Sequence, residues 1–220
     1  AFKYSADLGF TYMETDVQST KDGKIVIFHD SNLERMTGVN KEISDINYKD
    51  IKKISIKGES NIPSLNELLS NFKRLRFNID IKTDFAVENT VKIIEDHDAF
   101  NRVCLAAFSS KRLDKIRKLA GSRCCTSMGT KEVINMKMGS LGLPAKISVG
   151  NCAQVPISQW GIKLVTSNFI NYLKKQQKLI HVWTIDEEEE MKRLISLGVD
   201  GVMTDKPKIL KKVLEELDLM

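Results

Sequence analysis

The sequence RFNIDIKTDFAVENTVKIIEDHDAFNRVCLAAFSSKRLDKIRKLA, residues 76–120, shows the clearest alternation of strand and helix in this chain. Two β-rich runs, 76–81 and 102–108, are each followed by a stretch of helical periodicity, over 85–97 and 110–120. Strands that alternate with helices at this rhythm indicate parallel βαβ units. The segment therefore predicts an α/β fold.

The same alternation extends toward both ends of the chain. Further strands are predicted at 11–17, 23–30, 122–128, 179–185 and 201–204. Further helices are predicted at 64–72, 130–138, 168–177 and 187–197, with a final helix that Asp205 caps. Two weaker strand candidates, 147–155 and 162–165, are left out of this count. About seven strands, in a chain that begins inside a helix, predict a TIM (β/α)8-type barrel that lacks its first strand.

The composition predicts one globular domain over residues 1–220. Apolar residues make up 42% of the chain and charged residues 29%, which suits a large core and a solvated surface. No apolar run reaches the ~20 residues of a membrane-spanning helix, so no transmembrane segment is expected. The net charge of +5 is spread along the chain without a cluster of basic and aromatic residues, so no nucleic-acid partner is expected. The four cysteines show no zinc or disulfide spacing, which favours a reduced, cytoplasmic protein.

Two pairs of charged residues stand at the strands nearest the N-terminus. Glu14 and Asp16 lie two apart on one strand, so both carboxylates point to the same face, where they either bind a cation or form a solvated strand end. Asp80 and Lys82 repeat this spacing and either pair with each other or serve a metal and a phosphate oxygen. Hard oxygen ligands without clustered histidine or cysteine favour Ca²⁺ or Mg²⁺ over zinc.

A histidine accompanies the first acidic pair. If Asp22 and Gly23 form a two-residue hairpin loop, His29 falls opposite Asp16. Such an imidazole suits general acid–base chemistry, although a lone histidine is equally consistent with a structural or exposed role. Trp183 lies on the predicted strand 179–185, where it either fills the core or lines a pocket. On the helix over 110–120, apolar residues form one face and Arg112 falls on the solvent side.

These motifs together resemble those of the glycerophosphodiester phosphodiesterases. The run ETDVQSTKDGKIVIFHD, residues 14–30, is similar to the family signature E-x-D-V-x-x-T-x-D-G-x-x-V-x-x-H-D. The resemblance continues through IPSLNELL, NIDIK, CAQVP, VWTID and LGVDGVMTDKP, and so covers nearly the whole chain. It implies a TIM barrel that uses a divalent metal to hydrolyse small glycerophosphodiesters to an alcohol and glycerol 3-phosphate.

The resemblance also implies roles for individual residues. Glu14 and Asp16 match metal ligands, and Asp80 matches a third ligand that is usually glutamate in the family. The other matches are one of two catalytic histidines (His29), a phosphate-contacting lysine (Lys82), a tryptophan near the substrate pocket (Trp183) and a small insertion after the H-D motif (31–62).

One departure from the family pattern concerns the start of the chain. The family begins with a strand that carries H-R-G and then a P-E-N segment, and both would precede Ala1. We therefore expect an N-terminally truncated chain that hydrolyses glycerophosphodiesters poorly. Two alternatives are a non-catalytic barrel that binds phosphodiesters or a partner, and a lysophospholipase D that acts on longer lipids.

Overall fold

The computed structural model describes all residues from Ala1 to Met220, which form two compact units. The first unit is Thr11–Cys125, and the second comprises Ala1–Phe10 and Thr126–Met220. None of the helices combines the length and apolar character that a bilayer crossing requires.

Short strands and helices alternate along the chain. The strands are β1 (Tyr12–Ser19), β2 (Ile25–Ile27), β3 (Ser55–Ile56), β4 (Ser60–Asn61), β5 (Arg76–Ile81), β6 (Val103–Ala106), β7 (Cys125–Thr126), β8 (Cys152–Val155), β9 (Ser158–Gln159), β10 (Ile162–Lys163), β11 (Leu179–Val182) and β12 (Gly201–Val202). The helices are α1 (Phe2–Asp7), α2 (Glu34–Thr37), α3 (Tyr48–Ile51), α4 (Leu65–Asn71), α5 (Ala86–Asp96), α6 (Ser110–Ala120), α7 (Thr130–Ser140), α8 (Ser167–Lys175), α9 (Glu188–Leu197) and α10 (Pro207–Glu216).

The first unit is organised by a sheet in the order β2-β1-β5-β6-β7. Strands β1, β5 and β6 are parallel, because helices α4 and α5 return the chain to the same edge each time. Side chains along β1 alternate between the two faces, so Met13, Thr15 and Val17 are buried while Glu14 is exposed and Asp16 half-buried. The apolar side chains of β1 therefore lie on the buried face of the sheet, and the acidic side chains lie on the opposite face.

The hairpin between β1 and β2 forms as predicted, but its register is shifted by one residue. Val17 pairs with Ile27, so the loop has three residues rather than two. Its last residue, Gly23, has a φ of +75°, the left-handed conformation that ends a three-residue hairpin loop and favours glycine. The predicted placement of His29 opposite Asp16 is therefore wrong, and Phe28 occupies that place.

The predicted insertion, residues 31–62, is more ordered than its polar sequence suggests. It contains α2, α3 and the β3–β4 hairpin, and its apolar side chains form a small core with the end of β2. That core consists of Val26, Phe28, Leu33, Ile43, Ile46, Ile51 and Ile62. Tyr48 joins the insertion to helix α4 because its hydroxyl donates to Oε2 of Glu67 at 2.9 Å.

Helix α4 begins with the capping box that its sequence predicts. The hydroxyl of Ser64 accepts a hydrogen bond from the backbone N–H of Glu67 at 3.2 Å. In return, the backbone N–H of Ser64 donates to the Glu67 carboxylate at 2.8 Å. This exchange satisfies two donors that a helix start otherwise leaves unpaired.

The second unit contains a parallel sheet in the order β12-β11-β8. Strand β8 lies within the weak candidate 147–155 and β10 within 162–165, so leaving both out of the strand count is wrong. In β8, Ala153 and Val155 are buried, whereas Ile147 and Val149 upstream are exposed, and this mixture obscures the pattern. The predicted cap Asp205 is also corrected: α10 begins at Pro207, and Asp205 makes no side-chain cap.

Candidate active site

Three acidic side chains share one face of the sheet in the first unit. In the parallel pairing of β1 with β5, Asp16 lies opposite Asp80 and Glu14 lies opposite Asn78. Paired residues on parallel strands point to the same face, so the sheet brings Glu14, Asp16 and Asp80 to one surface. Asp80 is the penultimate residue of β5, which places the cluster toward the carboxyl end of the strand.

Lys82 lies between two of these carboxylates. Its Nζ is 2.7 Å from Oδ1 of Asp16 and 2.8 Å from Oδ2 of Asp80. Burial lowers the pKa of Lys82, but the hydrogen bonds to Asp16 and Asp80 outweigh this effect and raise it above the ordinary value. The ammonium therefore stays charged and offsets part of the repulsion between the two carboxylates.

Asp80 is the most buried member of the cluster. Only 10% of its side chain is exposed, and this burial raises its pKa. The hydrogen bond and charge of Lys82 lower the pKa and the charge of Asp16 raises it, so the pKa remains above its ordinary value. Its Oδ1 atom is buried and has no hydrogen-bond partner. A buried carboxylate oxygen without a partner is costly, so this atom is a natural ligand for a cation.

The charge balance of this cluster also suits a divalent ion. Three carboxylates and the ammonium of Lys82 leave a formal charge of −2 on one face. The donor atoms are all carboxylate oxygens, the ligands that Ca²⁺ and Mg²⁺ prefer. The donor types therefore fit a hard divalent cation, and the joint binding of one ion by Glu14, Asp16 and Asp80 stays a prediction.

Arg112 of helix α6 holds the segment that follows β5. Its Nε donates to Oδ1 of Asp84 at 2.7 Å, and its Nη1 donates to the carbonyl oxygen of Ile81 at 2.9 Å. Only 17% of its side chain is exposed, so its predicted solvent position is wrong. Because Ile81 lies between Asp80 and Lys82, this contact fixes the backbone that carries both charged groups.

His29 follows β2 and belongs to a short chain of charged groups. Its Nδ1 is 2.7 Å from Oδ1 of Asp30, whose Oδ2 accepts from Nε of Arg35 at 2.6 Å. The imidazole is 64% exposed, so solvent and small molecules can reach it. The hydrogen bonds from Arg35 and His29 lower the pKa of Asp30 to about 2, so this carboxylate stays ionised at any assay pH.

A side chain of β1 fixes the backbone of the segment that carries His29. Gln18 is two residues beyond Asp16 on β1, so its side chain points to the same face. Its Nε2 donates to the carbonyl oxygen of His29 at 3.1 Å. The insertion adds a second restraint, because the backbone N–H of Ile43 donates to the carbonyl of Ser31 at 2.8 Å. The backbone of His29 is thus tied to β1 despite the shifted hairpin register, and the place of its imidazole beside the carboxylates stays a prediction.

Trp183 lies in the second unit, directly after β11. It is half-buried, and its backbone N–H donates to the carbonyl oxygen of Val155 at 3.2 Å. Its predicted role at a substrate pocket stays a prediction.

Sequence reasoning missed four residues that position the site: Gln18, Asp30, Arg35 and Arg112. Asp30 and Gln18 carried a usable signal, since one is adjacent to His29 and the other continues the period-2 face of Asp16. Arg35 and Arg112 carried none, because each reaches its partner across a turn or from another element.

The fold and the whole chain match known proteins. A crystal structure of a glycerophosphoryl diester phosphodiesterase from Silicibacter pomeroyi, described as putative, superposes with a TM-score of 0.80 at 18% identity. The superposition covers 99% of this chain and 88% of the other. This similarity shows the fold, and the predicted TIM-barrel type of α/β fold is confirmed.

Sequence comparison extends the match beyond the fold. A probable glycerophosphodiester phosphodiesterase from Mycobacterium tuberculosis is 33% identical over 219 residues, which cover 97% of this chain and 83% of that protein. A lysophospholipase D from Rattus norvegicus is 26% identical, with 99% of this chain and 81% of that protein covered. The model of the glycerophosphoryl diester phosphodiesterase family matches residues 1–209. The chain therefore belongs to this family of phosphoric diester hydrolases, which hydrolyse glycerophosphodiesters.

Proposed function

We propose that residues 1–220 act as one catalytic domain that hydrolyses small glycerophosphodiesters to an alcohol and glycerol 3-phosphate at the face of Glu14, Asp16 and Asp80. The observation that carries this proposal is the buried, unpartnered Oδ1 of Asp80 beside a second carboxylate and a lysine. Such an arrangement is costly for a purely structural cluster but suits a site that binds a cation and a phosphate.

Glu14, Asp16 and Asp80 would hold one divalent cation, Ca²⁺ or Mg²⁺. Members of the family typically depend on a divalent cation. The bound ion supplies positive charge that neutralises and polarises the phosphate. Asp80 is one methylene shorter than the glutamate usual at this position, so the backbone held by Arg112 sets how far its carboxylate reaches.

Lys82 would bind the phosphate. Its ammonium is held at the carboxyl end of β5 by Asp16 and Asp80, so it lies where the substrate phosphate meets the acidic face. A lysine ammonium is a compact charge that rotates readily between a carboxylate and a phosphate oxygen. Phosphate binding would draw it away from one carboxylate and leave that oxygen to the cation.

His29 would move the proton. Its Nδ1 faces ionised Asp30, so in the neutral imidazole Nδ1 carries the proton and Nε2 is left to accept one. The carboxylate stabilises the imidazolium that forms, and Arg35 holds that carboxylate in place. We assign Asp30 and Arg35 as positioning residues, and the role of Trp183 in substrate binding stays a prediction. The cytoplasmic location expected from the cysteine pattern stays a prediction.

Hydrolysis of glycerophosphocholine by the purified chain, with Ca²⁺, Mg²⁺ or excess chelator, tests this proposal. We expect His29→Gln to lower kcat by at least about 100-fold, because it removes a general acid–base group. The control is His97→Gln, since His97 is half-buried and its side chain bonds to Asn66 at 3.1 Å, away from the acidic face. Turnover that resists chelation, or equal losses in the two variants, would contradict the proposal.

A lysophospholipase D activity is a second candidate, favoured by two exposed aromatic side chains. Phe85 follows β5 and is 89% exposed, and Phe108 follows β6 and is 62% exposed, with its ring centre 6.0 Å from Nζ of Lys82. An acyl chain could cover these apolar surfaces. If so, Phe108→Ser should slow hydrolysis of lysophosphatidylcholine more than that of glycerophosphocholine. Equal effects on both substrates would dismiss this candidate.

A further inference from the structure

Two cysteines of the first unit meet on the face that carries the acidic cluster. Cys104 lies on β6 opposite Asn78 of β5, and Asn78 lies opposite Glu14 of β1. Cys125 lies on β7, the neighbour of β6 in the sheet, and the Sγ atoms of Cys104 and Cys125 are within 4.8 Å of each other. Nothing in the proposed hydrolysis uses these two thiols.

The separation of the two sulfur atoms, which is at most 4.8 Å, is compatible with binding to one metal ion. A zinc–thiolate bond is about 2.3 Å long, so two thiolates on one ion lie between about 3.7 Å and about 4.6 Å apart. A disulfide instead requires sulfurs at about 2.05 Å with a restricted Cα separation. The structure contains no disulfide bond.

The accessibility of the pair also suits a metal. Cys104 is half-buried and Cys125 is exposed, so an ion can enter and water can complete its coordination. The adjacent Cys124 differs, because it points to the opposite face, is buried, and has its pKa raised to about 12 by burial.

We propose that Cys104 and Cys125 form a binding site for a thiophilic divalent ion of the zinc type, distinct from the carboxylate site. Binding replaces two S–H protons with two metal–sulfur bonds, so one divalent ion enters, two protons leave to solvent, and no electron is transferred. The complex of one divalent ion with two thiolates is neutral, so it adds no negative charge near the three carboxylates. A monovalent copper ion would instead form an anionic complex with the two thiolates. Two strand spacings of about 4.8 Å place Cys104 roughly 10 Å from Glu14, so the two sites do not share ligands.

Cadmium titration of the reduced, metal-free chain tests this site, because the cadmium–thiolate absorption band reports sulfur ligands and ignores carboxylates. We expect one equivalent of Cd²⁺ to produce the band in the unmodified chain and in the control Cys124→Ala. The double variant Cys104→Ala with Cys125→Ala should lose it. A double variant that keeps the full band, or an unmodified chain with reduced thiols and no band, would overturn the proposal.

Protection from alkylation gives a second test that does not depend on a variant folding. At ten times the dissociation constant, Zn²⁺ should slow the modification of Cys125 by iodoacetamide roughly tenfold, because only the metal-free fraction reacts. Mass spectrometry of the peptide that contains Cys125 measures this rate. An unchanged rate at saturating Zn²⁺ would overturn the assignment.

Discussion

Replacing Lys82 by methionine should destabilise the metal-free chain and strengthen its response to a divalent ion. Methionine keeps most of the aliphatic stem but removes the ammonium that lies 2.7 Å from Asp16 and 2.8 Å from Asp80. Loss of one partner of a buried ion pair costs about 3–5 kcal/mol. The side chains of Lys82 and Asp16 are 21% and 17% exposed, so the pair is only partly buried. We therefore expect the free energy of unfolding to fall by the lower end of this range, about 3 kcal/mol.

A divalent ion should reverse most of this loss. An ion at one hundred times its dissociation constant stabilises the folded chain by about 2.7 kcal/mol, close to the expected deficit. In the unmodified chain the gain should be smaller, since the ammonium must first leave at least one carboxylate. The effect of Ca²⁺ on the free energy of unfolding should therefore be larger in Lys82→Met than in the unmodified chain.

The loss of unfolding free energy in Lys82→Met should also increase with pH. The pKa of Asp80 is raised in the folded chain, so protonated Asp80 favours folding and this contribution is lost as the pH rises through that pKa. Without Lys82 the pKa of Asp80 rises further, so the destabilisation in chelator should grow as the pH rises above the ordinary pKa of an aspartate.

Urea unfolding in chelator and in Ca²⁺ measures these quantities. The control is Lys92→Met, which breaks an exposed pair with Asp96 on helix α5 and should change the free energy of unfolding by less than about 1 kcal/mol. The reasoning is refuted if Lys82→Met in chelator matches the control. It is refuted equally if Ca²⁺ stabilises both proteins by the same amount.

Three further variants test the residues that surround the acidic face. Arg112→Met should lower kcat by about tenfold or more with a smaller change in KM, because the backbone after β5 loses its anchor, and steady-state kinetics measures both. Asp30→Asn should lower kcat by about tenfold or more, because His29 loses the carboxylate that accepts a hydrogen bond from its Nδ1 and orients the ring. Ser64→Ala should reduce the free energy of unfolding by about 1 kcal/mol in urea, because it removes the capping hydrogen bond to Glu67.

Each of these expectations can fail in a specific way. Full kcat in Arg112→Lys together with a reduced kcat in Arg112→Met would show that the charge, not the fork of two hydrogen bonds, supports the site. An unchanged kcat in Asp30→Asn would remove Asp30 from the group that positions His29. An unfolding free energy of Ser64→Ala within about 0.3 kcal/mol of the unmodified value would mean that the remaining contacts of Glu67, with Tyr48, Lys52 and the Ser64 backbone, hold the helix start without the hydroxyl.

The sequence predicts the acidic face well because two simple periodicities define it. The i, i+2 spacing puts Glu14 with Asp16 and Asp80 with Lys82, and parallel βαβ units make neighbouring strands end together. The ion pair between Lys82 and Asp16 joins these two pairs of residues. It depends on the register of β1 against β5, which the sequence spacing does not determine. The structure resolves it in favour of a lysine held by Asp16 and Asp80 together.

The errors have equally physical causes. The hairpin register depends on whether the loop has two or three residues, and Asp22 favours three by accepting hydrogen bonds from Thr20 and from the backbone of Tyr48 in the distant insertion. Arg112 satisfies the pattern of a solvent-facing helix position, but its long side chain reaches the end of β5. Sequence periodicity records which face a residue lies on and not how far its side chain extends.

The most direct test of the metal site is a crystal structure of the chain soaked with Mn²⁺, with an anomalous difference map. We predict one strong peak within about 2.0–2.6 Å of carboxylate oxygens from Glu14, Asp16 and Asp80, including Oδ1 of Asp80. Nζ of Lys82 should then have left at least one of its two carboxylates. A peak elsewhere, or no peak with Lys82 still bridging both aspartates, would contradict the account.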